Sequence, residues 1–179
     1  MPTDTTGHAD WIQAALQRYE GPLVRYATRF VGDPERARDV VQDTFIRLYQ
    51  QDREKVSRGL KTWLFTVCRN RALDILRKEK RMVELDDEAA SRIQSEEAGP
   101  GSAVDWDERV AQVMKALDRL SENQREVIRL KFQQGLSYKE ISDVTNLSTG
   151  NVGFLLHTGL KRLRTFLPDD LLENLGNQD

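Results

Sequence analysis

The chain has 179 residues, 39% hydrophobic and 31% charged, with a formal net charge of −2. That length allows one domain or two small ones, and a single cysteine excludes an internal disulfide and any cysteine-clustered metal site. No apolar run approaches a membrane span, and the opening MPTDTTGHAD is no signal peptide, so a cytoplasmic protein is expected. Few β-branched runs and an abundance of Ala, Leu, Arg, Glu and Gln predict an all-α fold.

In chain order, residues 1–9 read as a disordered tail. Trp11, Ile12, Ala15, Leu16 and Tyr19 recur at helical spacing, and Gly21-Pro22 is expected to break that helix. A second helix follows over Leu23 to Val31, ended by Gly32. Asp33 as N-cap and Pro34 at the first helical position open a third, about Glu35 to Gln50. It buries Ala37, Val40, Val41, Thr44, Phe45 and Leu48 and exposes Arg36, Arg38, Asp39, Gln42, Asp43, Ile46, Arg47 and Gln50. Gln51 to Gly59 reads as a polar loop.

Leu60 to Arg81 is the informative stretch. Leu60, Leu64, Cys68, Ala72, Ile75 and Leu76 share one apolar stripe, with Phe65 and Val67 on its flanks. The opposite face carries Trp63, Thr66, Arg69, Asn70, Leu73, Arg77, Lys80 and Arg81. This face is either a solvated surface with a stray aromatic or a nucleic-acid surface. Phosphates reward Arg and Lys, unstacked bases an aromatic platform, and base edges an amide such as Asn70.

The next stretch is acidic. Residues 84–108 hold nine acids and one base, a net of −8, which leaves +6 for the remainder. Six bases against two acids lie in residues 69–81, and seven against three in residues 125–166. A pI near 5.8 therefore hides segregated basic regions, whose local potential matters more than the sum. Residues 83–107 read as a flexible acidic linker between domains over 10–82 and 108–168.

In the second domain Val110, Val113, Met114, Leu117 and Leu120 form one helical stripe. Ser121 with Gln124, and Ser137 with Glu140, are capping boxes that open two further helices. The first places Val127, Ile128, Leu130 and Phe132 inside and stops at Gly135; the second is short and runs through Ile141 and Val144. After the turn Asn146-Leu147-Ser148, a last helix runs from about Thr149 to Leu167, ended by Pro168. Val152, Leu156, Gly159, Leu160 and Leu163 face inward, and Gly150, Phe154, His157, Lys161 and Arg164 outward. A short capped helix, a brief turn and a longer basic helix are the layout of a helix-turn-helix.

Three segments in this order resemble a bacterial RNA polymerase sigma factor of the extracytoplasmic-function (ECF) type, which keeps only the second and fourth conserved regions. They are Asp39-Val-Val-Gln-Asp-Thr-Phe45; Thr62-Trp-Leu-Phe with Arg69-Asn-Arg-Ala-Leu-Asp74 and Arg77; and Leu120 to Arg164 with Ser-Tyr-Lys-Glu-Ile141 and Lys161-Arg-Leu-Arg164. The resemblance implies that Arg36, Arg38, Asp39, Gln42, Asp43 and Phe45 meet the β′ clamp of core polymerase. It implies that Trp63, Asn70, Arg71, Asp74 and Arg77 bind the −10 element, with the 51–59 loop receiving a flipped base. Thr149, Asn151, Phe154, His157, Lys161 and Arg164 would bind the −35 element, near the β flap. Core RNA polymerase and promoter DNA are the implied partners, with an anti-sigma factor as a regulator. No ATP-binding motif is present, and flipping one base costs a few kcal/mol, about what stacking and hydrogen bonds return. No cofactor, metal, membrane or small-molecule substrate is implied.

Two features depart from the family pattern. Where it usually carries acids, this chain reads Arg36-Ala-Arg-Asp39, which would repel a basic β′ surface. Phosphorylation of Thr44 or a nearby hydroxyl by a Ser/Thr kinase would restore negative charge, unless the interface simply tolerates the arginines. The last helix has Gly153-Phe154-Leu155 and Thr158-Gly159-Leu160 where basic or small polar residues are usual, which leaves few phosphate contacts and predicts a weak or unusual −35 preference. Phe154 is a candidate for touching a thymine methyl or a protein partner. Other classes remain: a helix-turn-helix repressor or activator, which leaves the basic-aromatic helix unexplained; a pure interaction module; and an enzyme, for which no HExxH, phosphate loop or carboxylate cleft is present. Cys68 falls on an apolar face and His8 in the tail.

Overall fold

A computed structural model describes residues 5–85 and 108–167. The described residues are helical throughout, without strands, and the chain divides into two compact units at residues 101 and 102. The acidic linker expected over 83–107 lies outside the described residues, except that its first residues continue a helix.

The first unit packs α1 (Thr5–Val31), α2 (Pro34–Tyr49) and α4 (Leu60–Leu85) against one another, with a single-turn helix α3 (Arg53–Val56) and a 3₁₀ turn (Ser57–Gly59) between the last two. Two expectations fail at its start. The tail is helical from Thr5, and Pro22 does not break the helix but sits inside it. Proline removes one backbone donor and costs an isolated helix about 3 kcal/mol. Here apolar residues on both sides of Pro22 are buried, Ala15 before it and Leu23, Tyr26 and Ala27 after it, so packing outweighs the local cost. Gly32, at φ +74°, ends the helix.

α2 forms as its sequence predicts. The Asp33 carboxylate accepts the Glu35 N–H at 2.9 Å, Pro34 occupies the first turn, and Ala37, Val40, Val41, Thr44, Phe45 and Leu48 are buried. The expected 51–59 loop is structured instead. Asp52 caps α3 by accepting the Glu54 N–H at 3.0 Å, and Val56 is buried. In α4 the stripe of Leu64, Cys68 and Ala72 is fully buried, and so is Phe65, which sequence spacing puts only at the margin. Phe65 meets Tyr26 of α1 edge-to-face at 5.1 Å.

The second unit comprises α5 (Glu108–Asp118), α6 (Glu122–Phe132), α7 (Tyr138–Thr145) and α8 (Thr149–Arg164). Both capping boxes are formed, at Ser121 with Gln124 and at Ser137 with Glu140. Val110 and Phe132, expected inside, are 42% and 63% exposed; they stand at the start of α5 and the last residue of α6, where the periodic stripe outruns the packed surface. α8 ends at Arg164, three residues earlier than expected, with Thr165 as its cap.

Arg125 is a structural cation. It donates to the carbonyls of Leu117 (3.2 Å), Asp118 (2.6 Å) and Leu120 (3.1 Å), closing the open end of α5. Arg129 is buried beside Asp118 at 3.6 Å. Burial pulls its pKa down, the Asp118 carboxylate pushes it back up, and Arg125 lowers it further. Two of the seven bases counted in this stretch thus serve the fold rather than a phosphate.

Gly159 lies where α8 crosses α6. A Cβ there would stand 3.0 Å from Ile128 Cδ1 and 3.3 Å from Gln124 Cβ, whereas at Gly150 it would meet nothing within 4 Å. Glycine at 159 therefore allows the close approach and is not merely a weak helix former. Gly159→Ala is expected to destabilise the second unit by about 1–2 kcal/mol through overpacking, and Gly150→Ala to stabilise it by up to about 1 kcal/mol, as read from denaturant midpoints. A gain at both positions would refute the close-packing account.

Candidate polymerase and promoter-DNA surfaces

The α2 residues assigned to a polymerase contact divide by environment. Arg36 is half-buried, ion-paired to Glu79 of α4 and 3.4 Å from the Val31 carbonyl. Arg38 pairs with Glu35 one turn earlier. Each arginine of the departing patch thus has a carboxylate partner within the first unit. Asp43 accepts from Arg71 Nε at 2.7 Å, joining α2 to α4. Phe45 is 6% exposed and belongs to the core, not to an outward contact. Asp39 and Gln42 remain exposed. At the same helical spacing stand Ile46 and Tyr49, 51% and 58% exposed; Ile46 belongs to the exposed face expected from the sequence, and Tyr49 extends it.

Thr44 cannot be a phosphorylation site in this fold. Its side chain is fully buried, and its hydroxyl donates to the Val40 carbonyl at 2.8 Å. A phosphate carries nearly two charges, and no kinase reaches this hydroxyl without opening the core.

On α4, Asn70 and Arg77 are exposed, and Asp74 pairs with Arg77 at 3.2 Å. Trp63 lies on the same stripe but is partly covered, so its ring is less costly to water than a fully exposed one. Arg71 does not join this stripe; its bond to Asp43 makes it a positioning residue between helices. Lys78, Lys80 and Arg81 extend the exposed basic surface.

The six residues assigned to the −35 element all sit on α8, and all are exposed: Thr149, Asn151, Phe154, His157, Lys161 and Arg164. The helix is held in place locally. Asn146 takes φ +60°, the left-handed conformation that asparagine tolerates, and reverses the chain after α7. Ser142 Oγ donates to the Leu147 carbonyl at 2.6 Å, and Ser148 Oγ accepts the Asn151 N–H at 3.2 Å to cap α8. Gln124 Nε2 reaches Thr158 Oγ1 at 3.2 Å, tying α8 to α6.

Residues 15–82 match the Sigma-70 region 2 family model, and residues 111–163 match Sigma-70 region 4. The chain is 31% identical over 154 residues to the ECF RNA polymerase sigma factor SigM of Bacillus subtilis, covering 86% of this chain and 93% of the relative. The chain belongs to the ECF sigma factors. SigW of Bacillus subtilis is 30% identical over 172 residues, covering 91% of this chain and 92% of SigW. The sigma factor RpoE of Bartonella quintana, solved in complex with the anti-sigma factor NepR, superposes with a TM-score of 0.66 at 27% identity, over 86% of this chain and 94% of that one. Like its family, this sigma factor binds core RNA polymerase and promoter DNA and directs promoter-specific transcription initiation. The family is one of non-catalytic transcription factors. Among the described residues no helix is long and apolar enough to cross a membrane, and no cluster of His, Cys, Asp and Glu is able to hold a metal.

Two residues with catalytic chemistry have structural places. His8, expected in a tail, is in α1; its Nε2–H donates to the Tyr49 carbonyl at 3.1 Å, with its ring between Trp11 and Tyr49. Cys68 is fully buried, and burial pushes its thiol up to about 12, a shift only partly offset by a hydrogen bond with Thr44. The native state therefore keeps the proton that the unfolded chain gives up above pH 9.0. This contribution to stability is complete below that pH and is lost as pH rises towards about 12. Relative to Cys68→Ala, the wild type should lose about 1.4 kcal/mol more between pH 8 and pH 10, read from urea midpoints. Equal losses in the two proteins would contradict the buried-thiol assignment.

Proposed function

We propose that the sigma factor divides its work among three outward stripes. Asp39, Gln42, Ile46 and Tyr49 of α2 dock on the β′ clamp helices, with Arg36 and Arg38 neutralised beside them. Trp63, Asn70, Asp74 and Arg77 of α4 capture the −10 element, and the exposed α3 segment receives a base drawn from the non-template strand. Thr149, Asn151, Phe154, His157, Lys161 and Arg164 of α8 bind the −35 element near the β flap. The observation that carries this reading is the single stripe of Asn70, Asp74 and Arg77 on an α4 whose other side is buried against α1 and α2.

The functional domains are assigned to residues 10–82 and 108–168, with 83–107 as the acidic tether. The protein works in the cytoplasm, where the polymerase is, and catalyses no reaction of its own. Melting is driven by binding, because capturing an unstacked base returns about 1–3 kcal/mol against a few kcal/mol to extrude it. Control by an anti-sigma factor is supported by the RpoE relative, which was solved with one. Control by a kinase loses Thr44 as its target.

In vitro transcription from a random promoter library with core bacterial polymerase tests the reading. The wild type should select promoters with a defined −10 element. Asn70→Ala combined with Arg77→Ala, both on exposed positions, should lower initiation at least tenfold while leaving core binding within about twofold. Undiminished initiation would refute the α4 assignment.

A further inference from the structure

The exposed face of α8 carries one large apolar side chain. Phe154 is the sixth residue of the helix and 63% exposed. One turn away on either side stand Gly150, Asn151, His157 and Thr158, all small or polar. Helical side chains lean towards the N-terminus of their helix, and in that direction Gly150 has no side chain and open space where a Cβ would be. Gly153, beside the phenylalanine, would meet only the Tyr138 ring, 3.5 Å from Cε2. Thr158 donates its hydroxyl to the Phe154 carbonyl at 2.8 Å and accepts from Gln124 Nε2 at 3.2 Å, so it does not compete for the same surface.

A phenyl ring in the N-terminal half of a recognition helix reaches the region that contacts base edges. It offers no donor or acceptor. In the major groove the edges of guanine, cytosine and adenine present hydrogen-bonding groups, and only thymine presents an apolar one, its C5-methyl. The neighbours Asn151 and His157 supply the polar readers, so the ring adds what they lack. A duplex presents no free base face for stacking, and phosphates gain nothing from a phenyl group.

We propose that Phe154 is a specificity-determining residue that reads one thymine of the upstream promoter element through its C5-methyl group; this rests on the reading of α8 as the −35 helix. Burying one methyl group is worth about a fourfold change in affinity.

The test uses holoenzyme, core polymerase with the full chain, on a promoter selected in transcription. Each thymine of the −35 half-site on either strand is replaced in turn by deoxyuridine, which removes the methyl group alone. Wild-type holoenzyme should lose about three- to fivefold in competition binding at one position and be unaffected at the others. Phe154→Ala should bind the unmodified promoter more weakly and be insensitive to deoxyuridine at that position, whereas Phe154→Leu keeps part of the sensitivity. If no replacement matters while scrambling the whole half-site still abolishes binding, α8 reads the element but the methyl contact is wrong. Equal sensitivity of Phe154→Ala and wild type overturns the assignment to Phe154. Indifference to the scrambled half-site overturns both this inference and the −35 reading.

Discussion

Every outward residue of the first unit is aimed by the buried seam among α1, α2 and α4. Ala37, Val40 and Thr44 of α2, Leu23 and Ala27 of α1, and Leu64, Phe65, Cys68 and Ala72 of α4 are all fully buried. Small residues at 27, 37 and 72 allow the helices to approach closely, and in so packed an interior a shift of one side chain is transmitted to its neighbours. Once that seam is closed, a helix period of 3.6 leaves no freedom in where Asn70, Arg77, Gln42 and Ile46 emerge. The Arg71–Asp43 and Arg36–Glu79 pairs lie at the edges of the seam. Their partial exposure makes each worth little in stability, and their use is to set the register of α2 against α4.

The second unit reaches the same end with caps and one glycine. Ser137 and Ser148 start α7 and α8, Asn146 turns the chain between them, and Gly159 lets α8 press onto Ile128 of α6. Arg125 and Arg129, which look like phosphate binders in a count of charge, hold α5 to α6 through Asp118 and the last carbonyls of α5. The basic groups exposed on α8 are then Lys161, Arg162 and Arg164 near its C-terminal end, with Asn151, Phe154 and His157 ahead of them.

Local rules carried much of this in the sequence. The Asp33-Pro34 start, the two capping boxes, the six buried residues of α2 and the exposed residues of α8 follow from caps and periodicity, which depend only on near neighbours. What was not legible depends on partners distant in sequence. Pro22 is tolerated because α2 and α4 pack on both halves of α1, and no local rule contains those helices. Phe65 sits at the margin of its stripe but fills the gap beside Tyr26. Arg36 reads as an unpaired charge until Glu79, 43 residues later, is brought beside it, whereas the Glu35 partner of Arg38 is local. Thr44 was already on the buried list of its helix, and that burial removes it as a phosphate acceptor.

The central claim is that α4 opens promoter DNA by binding alone, through the stripe of Trp63, Asn70 and Arg77. Permanganate footprinting of the −10 region, with holoenzyme and no nucleotide triphosphate present, measures that directly. Thymines there should become reactive with the wild-type sigma factor and stay protected when Trp63 and Asn70 are both replaced by alanine, with polymerase binding retained. Equal reactivity in the two holoenzymes would contradict the account and move the melting activity off α4.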